Sequence, residues 1–439
     1  MTEYERHRRY LRLLWITLAT VFLLVGSFNF AVDAFGMFGA PRISGFNEMK
    51  PEIGTHERMA KGFQIRFYGP HGLILGTSRA DVGLDPDHPA WNETAQPVYN
   101  SALSSGRIEE MYAYLKHAQA HGPLQQVVMS IDLMMFNANW RHEADFQPGR
   151  LSDPERPNWS LEWVKDGLLS LFSLDGIQSS LKTLEAQDNP TVTNYFANGA
   201  RDSRNKWAYV QKHGGHFNLF LENTEYDLTA PEGWPLFALE PARKEDSPLR
   251  TLERIARYCQ ENDIDLRVFI SPIHASKQEV IWQLGLGPEL EQWKREATRI
   301  LANRNVPLWD FSGYNRITTE PFPPAGDTHT RMNYYWEGSH YRREVGNLIL
   351  DRVLGNGEAP ADFGIRLTPR NVEAYLESSR AARQAYLEEN QRDLAAVREL
   401  VATTLPARKK LVARYRPARK SAGKTITPGL AGNAVGHAR

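Results

Sequence analysis

The amino-terminal segment constrains this chain more than any other feature. MTEYERHRRYLR carries four arginines, and no charged residue follows between Leu13 and Val32. An apolar run of about 20 residues is long enough to cross a bilayer as a helix. Basic residues before such a run place the amino terminus in the cytoplasm. We therefore expect residues 1–12 to be cytoplasmic and residues 13–32 to be a signal anchor in the inner (cytoplasmic) membrane, in contact with the lipid bilayer.

A cleaved signal peptide is the alternative interpretation of this segment. Its apolar part would be unusually long, and the only small-residue cleavage site is Val32-Asp33-Ala34. In both cases the rest of the chain lies outside the cytoplasm, in a periplasmic or other extracytoplasmic space. The single cysteine, Cys259, excludes an intrachain disulfide and is compatible with an exported domain that has a large core.

Composition and charge exclude some partners. Hydrophobic residues make up 41% of the chain and charged residues 24%, which is typical of a globular protein. The 52 basic residues balance 52 acidic ones, which argues against nucleic acid as a partner of the whole chain. Residues 408–439 begin with a basic run. For this tail we expect disorder, with contact to anionic lipid or surface polymer as the alternative.

Apolar runs and amphipathic segments alternate along the chain. The predicted strands are short apolar runs, at residues 71–76, 96–100, 124–132, 265–272 and 306–311. Helical spacing predicts helices at residues 106–122, 249–262, 288–305, 339–355 and 377–401. Strands separated by helices predict an α/β fold with a parallel sheet covered on both faces.

An interruption of this strand–helix alternation divides the chain into units. Residues 137–245 are rich in Trp, Asn, Gly and Pro, with one convincing helix near residues 159–184, and we interpret them as an insertion or cap. Their tryptophans are suited either to stacking on sugar rings or to a core. The expected units are a juxtamembrane linker at 33–70, a first core part at 71–136, the insertion at 137–245, a second core part at 246–356, a helical region at 357–407 and the tail at 408–439.

Three polar groups follow predicted strands. Ser78 follows the first strand, Asp132 the third, and His340 opens the helix after the fifth. The carboxyl ends of parallel strands form the rim of the ligand crevice in open α/β sheets. Glu337 precedes His340 by three residues, a spacing at which a carboxylate can orient an imidazole. These residues make a coherent nucleophile set, although Ser78 could instead serve as a helix N-cap.

Short motifs around these residues resemble a known superfamily. The turn GTSR, the segments YNSALSSG and SIDLMMFN, and the late WEGSHY are similar to motifs of the SGNH/GDSL hydrolases. They resemble most closely the membrane-anchored SGNH-like proteins of alginate O-acetylation and of teichoic acid D-alanylation. The resemblance covers residues 70–136 and 249–355. It implies a flavodoxin-like three-layer fold and a membrane-bound O-acyltransferase as partner.

The resemblance also implies roles for individual residues. Ser78 would be the nucleophile, His340 its general base and Glu337 the acid that orients the imidazole. The backbone N–H of Arg79 and a group between Ser101 and Gly106 would form the oxyanion hole.

The chain departs from the family pattern in several places. Thr77 stands where the usual motif has aspartate, and Asp310 and Asp327 remain alternatives to Glu337 as the acid. Asp132 or Asn137 occupies the place of an oxyanion-hole asparagine. Further residues expected to line the pocket, or to lie beside it, are Asn100, His274 and Arg79, the last able to bind an anionic substrate or to pair with Asp81.

The sequence favours a membrane-anchored serine acyltransferase that transfers an acyl group, most plausibly acetyl, to a polysaccharide acceptor of the cell envelope. A carbohydrate ester hydrolase and a non-catalytic accessory protein are the alternatives. We expect no cofactor and no metal, because His213 and His216 have no third ligand at a suitable spacing.

Overall fold

The computed structural model describes residues 2–140, 142–154, 161–229, 237–241, 247–355, 357, 359–391 and 393–406. The predicted basic tail at 408–439 lies outside these residues. Six strands form one sheet, β1 Gly72–Leu75, β2 Val98–Asn100, β3 Gln126–Ile131, β4 Asp265–Ile270, β5 Leu308–Asp310 and β6 Ile365–Leu367. All five predicted strands are present, and β6 was not predicted.

The sheet is mostly parallel. Its order is β2-β1-β3-β4-β5-β6, with parallel pairing throughout except for antiparallel β6. The first five strands therefore have the 2-1-3-4-5 order of doubly wound sheets, in which the chain reverses direction across the sheet between β1 and β3. Ligands bind outside the carboxyl ends of the strands at that point. The predicted α/β class is confirmed.

The described helices are α1 Glu3–Val32, α2 Glu57–Tyr68, α3 Ser78–Gly83, α4 Ile108–His121, α5 Leu161–Phe172, α6 Leu174–Glu185, α7 Lys206–Lys212, α8 His216–Thr229, α9 Pro248–Glu261, α10 Ala275–Gln283, α11 Gly287–Ala302, α12 Arg343–Leu354 and α13 Val372–Glu389. Further helical residues occupy 393–406, so the helix predicted at 377–401 is interrupted near Asn390.

Alternate strand residues face two separate cores. Leu73 and Val127 belong to a buried cluster with side chains of α4, α9 and α11. Ile74 and Val128 belong to a second cluster with side chains of α3 and α12. Burial on both faces explains why these strands are continuous apolar runs rather than alternating ones. The core is a sheet between two helical layers.

Helix α1 is long and apolar enough to span a membrane. Most of its large apolar side chains are exposed, and few of its residues touch the rest of the chain. The exceptions lie in its last two turns, where Gly26, Asn29 and Val32 are buried. The carbonyl oxygens of Val32 and Asp33 each accept a 2.8 Å hydrogen bond from the buried Lys50 ammonium. The carboxyl end of α1 is therefore fixed to the domain.

Two regions are more ordered than the sequence predicts. Residues 33–70, expected to be a linker, contain α2, whose residues 57–65 are all buried. The insertion at 137–245, expected to hold one helix, contains α5, α6, α7 and α8. Charged and aromatic side chains, such as Lys61, Arg201 and Trp163, connect these regions to the rest of the domain, and their positions are not evident from local spacing.

Candidate active site

Ser78 stands at the start of α3, three residues after the end of β1. Thr77, rather than Ser78, occupies the N-cap position, without a side-chain hydrogen bond to the helix, so the side chain of Ser78 is not used as a cap. Gly76 permits the sharp turn because a Cβ there would lie 2.8 Å from Cβ of Ala80 and 2.9 Å from Cβ of Ser130. A glycine at this position therefore lets α3 begin directly against β3.

The loop before α12 carries the other two residues of the predicted set. His340 does not open a helix as predicted, since α12 begins at Arg343. A short antiparallel bridge between Tyr335 and Tyr341 closes this loop instead. The Glu337 carboxylate accepts hydrogen bonds from the backbone N–H groups of Ser339 and His340, at 2.7 and 2.9 Å. Glu337 therefore shapes the loop that presents His340.

A close approach of two backbones brings this loop over α3. A Cβ on Gly346 of α12 would lie 1.8 Å from the carbonyl oxygen of Gly83, and a Cβ on Gly83 would lie 2.1 Å from the ring of Tyr341. Only glycine fits at such distances without a shift of the backbone. The Gly83–Gly346 contact thus sets the distance between the serine and the histidine.

The structure brings Ser78, His340 and Glu337 together. Ser78 Oγ lies 2.8 Å from Nε2 of His340. The Nδ1 atom of His340 is hydrogen-bonded to Oε1 of Glu337. A carboxylate accepts from Nδ1–H, so this arrangement selects the tautomer in which Nε2 is free to accept the proton of the serine hydroxyl. Serine, histidine and acid are in the order required for nucleophilic catalysis.

Electrostatics favour the same protonation states. Burial lowers the pKa of His340, and the positive charges of Lys206 and Arg79 add to this effect against the opposing influence of Glu337. Burial alone would raise the pKa of Glu337, but the charge and hydrogen bond of His340, with Lys277 and the Ser339 N–H, outweigh it and lower the pKa. At neutral pH the imidazole is therefore uncharged and the carboxylate ionised.

Arg79, which follows β1, forms an ion pair with Asp132, which follows the adjacent strand β3. Their Nη1 and Oδ2 atoms are 2.6 Å apart, and Thr77 Oγ1 donates to the same carboxylate oxygen at 3.1 Å. The other oxygen of Asp132 accepts the N–H groups of Met134 and Met135. Asp132 is thus a strand-end cap whose charge Arg79 balances. The alternative pairing of Arg79 with Asp81 does not occur.

The predicted oxyanion-hole donors differ in whether their backbone N–H groups are already hydrogen-bonded. Arg79 is the second residue of α3, where a backbone N–H has no carbonyl partner within the helix, so it remains available to an oxyanion. The N–H of Ser101 donates to Ile74 and that of Gly106 to Leu103. These two N–H groups are already bonded, and the contribution of a group between Ser101 and Gly106 to the hole stays a prediction.

Asn100 and Asn137 are tied to the backbone. Asn100 is buried, and its side-chain amide donates to the carbonyl of Ala80 at 3.0 Å. This hydrogen bond joins β2 to α3. The Asn137 side-chain oxygen accepts the N–H groups of Asn139 and Ala238. Both asparagines support loops near the site.

The remaining predicted pocket residues serve structural purposes. His274 is buried between Ser276 and the carbonyl of Glu320, and burial lowers its pKa to about 4. Asp310 pairs with Lys294 at 2.7 Å. Exposed Asp327 accepts the N–H groups of His329 and Thr330. None of the three touches His340 in the part of the chain that the structure describes, and Glu337 is the acid that does.

Sequence reasoning did not find Lys206, at the start of α7 in the insertion. Its ammonium interacts electrostatically with Glu337 and His340, and burial followed by the charge of Arg201 lowers its pKa to about 8. Nothing in the local sequence distinguishes it from a surface lysine, because its position depends on how the insertion folds over the core.

A buried ion network behind α3 was also missed. Asp81, on the helix that begins with Ser78, is fully buried and contacts Lys61 of α2 at 2.6 Å and Arg201 of the insertion at 2.8 Å. Arg201 also contacts Glu57 of α2 at 3.0 Å. The juxtamembrane region and the insertion therefore both support the serine-bearing helix.

A groove of about 510 Å³ lies beside the His340 loop. It is lined by two indole rings, those of Trp207 from the insertion and Trp336 next to Glu337, and by Arg204, Arg331, Arg342 and Arg343. The guanidinium of Arg331 lies 4.4 Å from the centre of the Trp207 ring. The guanidinium of Arg342 lies 5.0 Å from the centre of the Trp336 ring, so both indole rings are covered by cations. A groove lined by such hydrogen-bond donors suits the hydroxyl and carboxylate groups of a carbohydrate chain.

His213 and His216, the two histidines considered as metal ligands, form hydrogen bonds with other groups of the chain. His213 contacts Glu222, while His216 is bonded to the backbone of Trp336 and Met332. Within the described residues no group of three or more metal-ligating side chains occurs.

No protein-family model, curated protein or solved structure matches this chain. The interpretation of the site therefore depends on its geometry.

Proposed function

We propose that this protein is a membrane-anchored serine O-acyltransferase that modifies a cell-envelope or secreted polysaccharide through an acyl ester on Ser78. The observation that carries the proposal is the 2.8 Å contact between Ser78 Oγ and His340 Nε2, with Glu337 on the other ring nitrogen. A serine is a weak nucleophile until an adjacent base takes its proton.

In the first half-reaction, Ser78 Oγ attacks the carbonyl carbon of an acyl donor while its proton moves to His340 Nε2. The carbonyl oxygen becomes an oxyanion near the Arg79 N–H and the amino end of α3. The bond to the leaving group then breaks, and His340 returns the proton to that group. Each oxyanion donor typically contributes about 3 kcal/mol to lowering the barrier.

In the second half-reaction, a sugar hydroxyl gives its proton to His340 and attacks the Ser78 ester, which releases the acylated sugar and restores the serine. Water in place of the sugar would make the protein an ester hydrolase. The groove beside Trp207 and Trp336 supports a carbohydrate acceptor.

Kinship with the SGNH-like proteins is part of the proposal. The 2-1-3-4-5 strand order, the serine directly after β1 and an acid-x-x-His pair before α12 support it. In that interpretation a membrane-bound O-acyltransferase supplies the acyl group.

An extracytoplasmic location on an inner membrane is part of the proposal, supported by the length and apolarity of α1 and by the arginines that precede its apolar part. A retained anchor, rather than a cleaved signal peptide, is supported by the hydrogen bonds of Asn29 to Leu171 and Ser180, which join α1 to the domain.

The test uses the full chain in detergent with p-nitrophenyl acetate as donor and neutral and uronate oligosaccharides as acceptors. We expect an acetyl adduct on Ser78 by peptide mass analysis, and acetylated oligosaccharide in the product. The variant Ser78→Ala should give neither, whereas Ser378→Ala, which alters an exposed serine of α13, should behave as the unaltered chain. An adduct that only water discharges would indicate the hydrolase, and no adduct would favour a non-catalytic accessory protein.

A further inference from the structure

Helices α5 and α6 form a hairpin with an apolar surface that the domain does not cover. Leu168 and Leu169 are 52% and 51% exposed, and Leu174 at the tip is 77% exposed. Phe172 and Leu181 are also exposed. Soluble proteins rarely leave a contiguous apolar patch of this kind open to water.

The hairpin packs against the carboxyl half of α1. The rings of Phe172 and Phe22 are 5.3 Å apart, and the Phe172 ring fills the space where a Cβ of Gly26 would lie. Asn29, a buried polar residue near the end of α1, donates to the Leu171 carbonyl at 2.7 Å and accepts from Ser180 Oγ at 2.8 Å. The hairpin thereby satisfies an amide that lipid could not.

Charge is almost absent from the part of the hairpin nearest α1. Between Gly167 and Leu181 the only charged residue is Asp175, whose side chain is 62% exposed and lies 3.6 Å from His56 of the domain. Lys182, which follows this stretch, is 60% exposed and lies 3.7 Å from Glu52 of the domain. Asp166, just before this stretch, is buried against Arg150. The exposed charges of Glu162 and Lys165 lie in the first turns of α5, away from the tip.

The contacts with α1 fix the depth of the hairpin. Gly26 and Phe22 lie about 9 and 15 Å along the helix from Val32, at 1.5 Å per residue. The hydrocarbon core of a bilayer is about 30 Å thick. Side chains that touch these two residues therefore lie within the half of the bilayer that is nearer the domain.

We infer that the α5–α6 hairpin is a second membrane element, inserted in the extracytoplasmic leaflet beside α1 and covered there by lipid acyl chains. The inference depends on α1 crossing the membrane. Lipid is the occupant because Phe172, at the end of α5, contacts Phe22, so that the exposed apolar residues of the hairpin adjoin the exposed apolar surface of α1. With Lys50 holding the end of α1, two inserted elements fix the orientation of the domain on the membrane.

The test places a nitroxide label on the full chain in phosphatidylcholine vesicles, at one site per variant, and measures collisions with oxygen and with a water-soluble nickel chelate. Leu169→Cys probes the hairpin. Leu23→Cys, at a residue 70% exposed on α1, is the reference for lipid, and Tyr226→Cys, at a residue 69% exposed on α8, is the reference for water. Native Cys259 is buried, and the unaltered chain gives its background.

We expect the label at 169 to match the label at 23, with a high oxygen-to-nickel ratio, and the label at 226 to show the reverse. A label at 169 that matches 226 would overturn the inference. So would a label at 169 shielded from both reagents, which would mean that a second copy of the chain covers the hairpin. If the label at 23 also matched 226, both the inserted hairpin and the membrane anchor would be wrong.

Discussion

At the scale of single residues, the Glu337 carboxylate has two roles. It holds the His340 loop through two backbone N–H groups and fixes the tautomer of the imidazole through Nδ1. An amide has one acceptor oxygen where Glu337 uses two, so its NH2 group would face either the Ser339 N–H or His340 and offer a donor where an acceptor is needed. Beside Nδ1, that donor would favour the tautomer protonated at Nε2. The same wrong-tautomer effect is known from serine proteases.

We therefore expect Glu337→Gln to lower the rate of reaction of Ser78 with a fluorophosphonate by about 100-fold or more. The rate is measured by intact mass against time. The matched control is Asp327→Asn, which changes an exposed acid of the same segment that does not touch His340, and it should leave the rate unchanged. Equal losses in both variants would contradict the assignment of Glu337.

The lowered pKa of His340 predicts how the reaction depends on pH. The base is active only when the imidazole is uncharged, so the rate should rise with pH through the pKa of His340 and level off above it. Because burial lowers that pKa, half of the maximal rate should be reached below pH 6.5. A midpoint above 6.5 in the fluorophosphonate rate of the unaltered chain would contradict this account of the site.

At the scale of elements, the spacing of α3 and α12 decides whether the site forms. Gly346→Ala places a methyl group 1.8 Å from the Gly83 carbonyl oxygen, so the two helices must separate. We expect a lower thermal midpoint and at least a tenfold slower fluorophosphonate reaction, since a 1 Å misplacement costs about 100-fold in rate.

The control for this variant is Gly167→Ala, at a helical glycine where a Cβ has open space. It should leave both the thermal midpoint and the rate close to those of the unaltered chain. Full activity of Gly346→Ala would show that the close contact does not position His340.

The elements that could be predicted from the sequence are those with a local signal. The five parallel strands are apolar runs bounded by glycine, proline or polar residues, and the structure confirms them. Helix α10 was missed because four of its seven buried residues are polar, with Lys277 paired to Asp227 and Glu279 to Arg383. Strand β6 has three residues, two of them exposed, and is defined by its pairing with β5 alone.

The residues of the candidate site also divide into those with a local signal in the sequence and those without one. Glu337 and His340 are three residues apart, so their relation could be proposed from spacing, and Ser78 from its place after a strand. The hydrogen bonds that Asp132, Ser101 and Gly106 make with backbone groups decide what each can do in the site. These hydrogen bonds are visible only in the folded chain.

At the scale of the whole molecule, the network around Asp81 joins three regions that are distant in sequence. Lys61 belongs to the juxtamembrane helix, Arg201 to the insertion and Asp81 to the serine-bearing helix. Removal of one charge from a buried network leaves the others without compensation, which typically costs about 3–5 kcal/mol.

We expect Asp81→Asn to lower the free energy of unfolding by about 3 kcal/mol in denaturant titrations of the detergent-solubilised chain. The control is Glu296→Gln, which removes one partner of the largely exposed pair with Arg299 and should cost less than about 1 kcal/mol. A loss for Asp81→Asn no larger than that of the control would show that the insertion and α2 are held by other contacts.

The central claim is that Ser78 is an activated nucleophile. The most direct measurement is the intact mass of the full chain after exposure to a fluorophosphonate, beside Ser78→Ala and His340→Ala. The account predicts one adduct on the unaltered chain, located on Ser78, with none on Ser78→Ala and a strongly reduced yield on His340→Ala. A folded chain that gives no adduct, or an adduct that persists in Ser78→Ala, would contradict it.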